Sequence, residues 1–327
     1  GINIPTGKDS LSMVQKYDEL KVKSPGTVII SASGQCNDIR KVVKPVLSKN
    51  LGNIYYINLS FDEYKLGGSS FAQTLNKIGS ESPEIKDSNK FKESFNLVQN
   101  LISNNNILSG HDISSGGLIT CLLEMCFSSN NVGLDIDLTD LGCSDSTKLL
   151  FSENSGIIIQ SAKDLEKEFL SIDVKCIKIG NTNENSILQI KNFENDFFFS
   201  INKYRDIWYS TSRDFDLKQS KNNKAIERYN NYKNQPLKYR FPNGFNGDNS
   251  GNNLNKKINA AVIREKGSNS EREMAFMLTL AGFNVKDIHM TDIISGEENL
   301  EDIHLLVAVG GFSNSDVLGS AKGWAGS

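Results

Sequence analysis

At 327 residues the chain is long enough for one large domain or two smaller ones, and 36 Lys+Arg against 39 Asp+Glu leave a net charge of −3. That balance argues against a nucleic-acid or anionic-membrane surface, and no apolar run approaches the roughly 18 residues that span a bilayer. Five scattered cysteines (Cys36, Cys121, Cys126, Cys143, Cys176), odd in number and without CxxC spacing, argue against zinc or a disulfide framework and for a reduced, cytoplasmic protein.

The chain opens mid-motif on GINIPTGKDSLSM, with no start methionine, signal peptide or transit segment. Thr27–Ala32 (TVIISA) and Ile54–Leu59 (IYYINL) are β-branched or aromatic runs that predict buried strands, with helical spacing over Asp38–Leu47 between them. Ser69–Ile78 and Phe91–Leu101 predict amphipathic helices. His111–Gly117 reads as a polar, glycine-closed turn that feeds a helix over Leu118–Phe127. Val132–Ile136, Gly156–Gln160, Lys175–Ile179, Ile187–Ile190 and Asp196–Ile201 are further expected strands. Alternation of strands and helices points to an α/β layered fold.

From about Arg213 to Lys257 the composition changes to Asn, Lys, Gly and Tyr with few aliphatics, which predicts a linker or a loosely packed connector. A second α/β domain opens at Ile258–Ile263 (strand), Arg272–Ala281 (helix), Val285–Ile288 (strand) and Leu305–Val309 (strand). The sequence then stops on GGFSNSDVLGSAKGWAGS, before any strand-turn-helix elbow that would carry a nucleophile, so the chain is expected to be a fragment cut inside this domain.

Several short segments carry possible chemistry. GKDSLSM (Gly7–Met13) puts a cation, a carboxylate and two hydroxyls within six positions beside a glycine. Lys8 can hold phosphate oxygens, Asp9 a magnesium ion, and Ser10 and Ser12 further phosphate or substrate oxygens; the same residues also suit a solvated, helix-capping turn. LGGSS (Leu66–Ser70) precedes a helix whose N-terminal amides suit an anion, or is a plain serine-capped turn. HDISSGGL (His111–Leu118) places Asp112 as a magnesium ligand and Ser114 beside a helix N-terminus, or else is a capped helix with a packed histidine. Glu124 and Glu153 (in FSENSG) are weaker acidic candidates that surface charge would also explain. The paired Gly310 and Gly311 after an apolar strand suit an anion-holding loop, because glycine lets successive amides turn toward one oxygen.

In this order, GKDSLSM, LGGSSFAQ, SGHDISSGGL with LLEM after it, LFSENSG, IREKGSNSEREMAFMLTLAGF, DIHMTD and GGFSNSDVLGSAKGWA resemble the phosphoribosylformylglycinamidine synthase family in its large single-chain, glutamine-dependent form. The resemblance covers nearly everything but the connector. It implies the C-terminal half of an aminoimidazole-ribonucleotide-synthetase-like domain (a mixed sheet with helices), followed by a truncated class I glutamine amidotransferase domain of flavodoxin-like fold. The implied boundaries are 1–25 for the end of a synthetase N-terminal subdomain, 26–212 for the synthetase-like C-terminal subdomain, 213–257 for the connector and 258–327 for the amidotransferase start.

In that family ATP phosphorylates the formamide oxygen of formylglycinamide ribonucleotide, and ammonia from glutamine displaces the phosphate to give the amidine. The resemblance implies ATP/ADP and Mg2+ as cofactors, with no nucleic acid and no membrane among the partners. Asp112 (metal) and Ser114 (nucleotide) would serve an auxiliary nucleotide site. Lys8 (nucleotide), Asp9 (metal), Ser10 and Ser12 (substrate) would reach the productive site, and Gly310 and Gly311 would form the oxyanion hole for glutamine hydrolysis. The front half of the synthetase and the glutaminase Cys, His and Glu, beyond Ser327, are expected in the same full-length chain. This sequence departs from the family at Ser115, usually acidic, and at Asn314 and Ser315, usually an aromatic and a small residue. Two alternatives stay open: a non-catalytic nucleotide-binding scaffold, or another ATP-using synthetase of the same superfamily.

Overall fold

The structure, a computed structural model, describes residues 14–23, 28–36, 38–129, 131–221, 223–234, 240–244, 258–311 and 320–326. Two compact units divide the chain, Gly1–Asn234 and Gln235–Ser327.

The first unit begins with a hairpin of β1 (Val14–Tyr17) and β2 (Leu20–Lys23), whose tight turn uses Asp18 in the left-handed region. Its centre is a seven-stranded sheet of β3 (Asn53–Asn58), β4 (Ser109–Ile113), β5 (Gly133–Asp137), β6 (Gly156–Ser161), β7 (Cys176–Asn183), β8 (Ile187–Asn192) and β9 (Asn195–Ser200). The strand order is β4-β6-β3-β7-β5-β8-β9, antiparallel throughout except for the β5–β8 pair. Helices fill the connections: α1 (Ser70–Thr74), α2 (Ser88–Ser103), α3 (Gly117–Phe127), α4 (Ser146–Phe151), α5 (Glu166–Leu170), α6 (Ile201–Gln219) and α7 (Lys224–Asn231).

Strand periodicity divides the core in two. Along β3, Ile54 and Tyr56 face one cluster while Tyr55 and Ile57 face the other, because successive side chains leave opposite faces of a sheet. The first cluster is built on α3, an almost wholly apolar helix (GLITCLLEMCF) whose Leu118, Leu122, Met125 and Cys126 are at most 2% exposed. The second cluster holds Leu101 of α2 and Phe169 of α5 against Tyr55, Ile57 and Ile159. The sheet is therefore covered on both faces.

Three local expectations are corrected. Residues 28–36 form no strand: Val28, Ile29 and Ile30 are 87%, 84% and 78% exposed, and a β-branched run becomes a strand only where a ladder receives it. Over Asp38–Leu47 only a single 3-10 turn forms at Ile39–Lys41, after which Val42 is extended; Pro45 also keeps the residue before it out of the helical region. His111, Asp112 and Ile113 lie in edge strand β4 rather than in a turn. Helices α6 and α7 also occupy part of the stretch read as a connector. They are joined by aromatic contacts, Tyr209 stacking on Tyr232 with ring centroids 3.9 Å apart, and Trp208 packs on Phe127 at the end of α3.

The second unit, taken by itself, is a three-stranded parallel sheet in the order β11-β10-β12, from β10 (Asn259–Arg264), β11 (Asn284–His289) and β12 (Leu305–Ala308). The central strand buries Ala260 to Ile263 on both faces, as a parallel strand covered by crossover helices does. Helices α8 (Glu271–Leu280), α9 (Met290–Ser295) and α10 (Ser320–Gly326) complete its described part. Among the described residues, no helix of either unit is long and apolar enough to cross a membrane.

One charge cluster in the first unit sets an acid limit on its stability. Asp62, its side chain 6% exposed, accepts from Lys65 Nζ at 2.8 and 3.0 Å and from the backbone amides of Glu63 and Glu84. The Lys65 ammonium, first of all, holds the carboxyl down to about 2. A group whose folded pKa lies below its unfolded value contributes stability above the unfolded value of about 3.9, and that contribution is lost as pH falls through the folded value. Asp62→Asn is expected to flatten the fall of unfolding free energy between about pH 4 and pH 2. Urea titrations at stepped pH check this; an unchanged slope would refute it.

Candidate functional site

Three loops of the first unit meet where α1, α3 and β6 begin. LGGSS leads into α1: Ser69 is its N-cap, accepting from the Ala72 amide at 3.2 Å. HDISSGG runs out of β4 into α3, and FSENSG joins α4 to β6. The loops are joined by one side chain. Glu153 Oε1 accepts the Ser70 N–H at 2.7 Å and the Gly116 N–H at 2.8 Å, amides at the starts of α1 and α3. Both are N-terminal amides that their own helices leave unpaired, and a carboxylate there also suits the helix dipoles. Next along the chain, buried Asn154 donates from Nδ2 to Ser60 Oγ at 2.9 Å and to the Glu63 carbonyl at 3.0 Å. FSENSG thus touches three loops through two adjacent residues.

Gly117 makes this approach possible. Its φ is +76°, and a Cβ at that position would lie 2.7 Å from the Leu150 carbonyl oxygen and 2.8 Å from that of Ser152. Only glycine meets both conditions.

Asp112, on β4, is open to solvent with its side chain 76% exposed; Oδ1 lies 3.5 Å from His111 Nδ1. Ser114 is also exposed, and its carbonyl accepts the Gly117 amide at 3.0 Å, closing the turn into α3. His111 is held from the other side: Nε2 lies 3.3 Å from Glu124 Oε2, and Glu124 Oε1 accepts from Trp208 Nε1 at 3.0 Å. Glu124 therefore ties β4, α3 and α6 together, and Glu153 ties two helix starts; neither is a free surface charge. Asn154, Ser60 and Trp208 were not singled out by sequence, although the polar FSENSG between apolar LLF and GIII was a visible signal for the first.

A lone exposed carboxylate suits magnesium, which is commonly held by one or two carboxylates plus phosphates and water. Among the described residues no group of three acidic, histidine or cysteine side chains forms a fuller cage. Two cavities of about 330 and 310 Å³ lie beside the loop through residues 61–81, and neither is lined by Asp112 or Ser114. Lys8, Asp9, Ser10 and Ser12, like Asn314 and Ser315, lie outside the described residues.

In the second unit Gly311 has φ +124° and forms an isolated bridge with Ser268, while the Gly310 carbonyl accepts the Asn269 amide at 2.7 Å. The double glycine thus packs against the GSNS turn that opens α8.

The family described as AIR synthase related protein, C-terminal domain, matches residues 60–187, and that described as CobB/CobQ-like glutamine amidotransferase domain matches residues 257–327. The probable phosphoribosylformylglycinamidine synthase, chloroplastic/mitochondrial, of Arabidopsis thaliana is 35% identical over 339 aligned residues, covering 100% of this chain and 24% of that protein. The chain belongs to the phosphoribosylformylglycinamidine synthase family. Phosphoribosylformylglycinamidine synthase of Homo sapiens is 33% identical over 340 residues, 99% of this chain and 25% of that protein. The chain thus spans about a quarter of the length of the synthases it matches. A solved structure, T. maritima PurL complexed with FGAR, covers 51% of this chain and 30% of its own at 13% identity and a TM-score of 0.40. The three loops joined by Glu153 and Asn154 fall within the stretch matched by the synthase-related domain, and the double glycine within the amidotransferase stretch.

Proposed function

We propose that the chain is part of an ATP-dependent carbon–nitrogen ligase of purine biosynthesis. That enzyme converts formylglycinamide ribonucleotide, glutamine and water to formylglycinamidine ribonucleotide and glutamate, with ATP going to ADP and phosphate. What supports this most is the succession, in one chain, of a synthase-related domain and a glutamine amidotransferase domain, in a sequence 33–35% identical to named synthases along its length. Phosphorylating the amide oxygen makes it a leaving group; ammonia then adds to that carbon and inorganic phosphate departs. Ammonia released from glutamine must be kept from bulk water, which favours joining the two domains.

Within this reading, residues 26–212 are the synthetase-like subdomain after a remnant at 1–25, and 258–327 open the amidotransferase beyond a connector at 213–257. Ser114 contacts the nucleotide and Asp112 holds magnesium, which neutralises phosphate charge when bound. The openness of both side chains leaves them free for a ligand. Lys8 and Asp9 serve phosphate and metal at the productive site, with Ser10 and Ser12 toward substrate. Gly310 and Gly311 hold the oxyanion of glutamine hydrolysis, a role that the positive φ of Gly311, open to glycine, suits.

ADP with magnesium is expected to raise the melting temperature of the chain by several degrees. Ligand at a hundred times its dissociation constant adds about 2.7 kcal/mol to the folded state. Asp112→Ala should remove the rise while leaving the melting temperature without ligand within about a degree, since an exposed carboxylate contributes little to stability. Equal shifts in both proteins would refute the role of Asp112.

A further inference from the structure

FSENSG sits at the meeting of three loops, and its glutamate is the only side chain that bonds to both the LGGSS and the HDISSGG segments among the hydrogen bonds of the described residues. One oxygen takes both amides, at 2.7 and 2.8 Å, so the two helix starts cannot shift independently without breaking a bond. Gly117 lies so close to the chain at Leu150 and Ser152 that a Cβ there would stand 2.7 and 2.8 Å from their carbonyl oxygens. Asn154 fixes the next residue to Ser60 and Glu63, which stops FSENSG from rotating away. Glu153 is half-buried, and one of its carboxylate oxygens is held by the Ser70 and Gly116 amides.

We propose that Glu153 is a positioning residue: a clasp whose one carboxylate oxygen holds residues 66–70 and 111–117 in a fixed relation, and so sets where Asp112 and Ser114 stand toward a nucleotide. The second half of this inference rests on the proposed nucleotide role of Asp112 and Ser114; the clasp itself does not. The clasp depends on reach and on an acceptor oxygen. Gln at 153 keeps both the length and a carbonyl oxygen. Asp keeps the charge but is one methylene shorter and cannot reach both amides from the same backbone. A helix-dipole effect alone would rank Asp above Gln; a clasp ranks Gln above Asp.

The test is amide hydrogen exchange on the chain and its Glu153→Gln, Glu153→Asp and Glu153→Ala variants, with ADP–Mg2+ titrations in parallel. Protection at Ser70 and Gly116 should fall together, tenfold or more, in the Asp and Ala variants and less than threefold in the Gln variant. ADP affinity should follow the same order. Should Glu153→Ala fail to fold, the Gln and Asp pair decides by itself. Wild-type protection in the Asp variant, or loss in the Gln variant as large as in Ala, would overturn the clasp. If exchange follows the expected order but ADP affinity does not change, the clasp stands and its control of the nucleotide side is overturned. A wild-type chain that binds no ADP would sink the nucleotide reading, while the exchange pattern would still judge the clasp.

Discussion

Gly117→Ala is expected to lower the stability of the first unit by about 2–5 kcal/mol. Two separate causes add. An alanine in the left-handed region costs about 1–2 kcal/mol, and an extra carbon forced into a filled site costs about 1–3 kcal/mol more. Here the neighbours are the backbone at Leu150, Phe151 and Ser152, which cannot rotate aside as a side chain would. Gly142→Ala separates the two causes, because Gly142 also has positive φ, +73°, but its Cβ would meet nothing within 4 Å. It should cost only the first part. Guanidinium unfolding of both variants reads the difference; equal losses would show that the α3 start has room to yield.

Leu122→Ala should cost about 2–5 kcal/mol, the range for emptying a fully buried leucine site. Leu122 is 0% exposed in the middle of α3, among Leu118, Met125 and the strands of the first cluster. Its neighbours belong to a helix tied at its start to Glu153 and through Glu124 to β4 and α6, so collapse around the gap is limited. Leu122→Met, nearly equal in volume, should cost less than about 1.5 kcal/mol. Denaturant midpoints with an unchanged slope would support this; a loss under about 1 kcal/mol for alanine would mean that the core repacks freely.

Much of the layered fold was legible because periodicity is local. IYYINL, GIIIQ and the three strands of the second unit carry their own apolar pattern, and each became a strand. The misses have a common cause. Val28–Ile30 satisfy every propensity for a strand, yet pairing depends on a partner that a segment cannot supply for itself. Conversely, SGHDI looks like a turn from its composition but becomes strand β4 because β6 receives it. The VQKYDELKVK hairpin was overlooked although its alternation around Asp18 was visible. Of the site, the loops were legible as separate motifs. That Glu153 would join two of them was not, because the residues it joins lie 83 and 37 positions away.

The placement of β3 also has a consequence for biosynthesis. Both of its ladder neighbours, β6 and β7, are encoded roughly a hundred residues downstream, and non-local pairing of this kind slows folding. A nascent chain must therefore carry IYYIN unpaired until roughly a hundred further residues have been synthesised. For that interval a β-branched, aromatic stretch is open to self-association, and ribosome-associated chaperones would have their greatest effect on yield during this window.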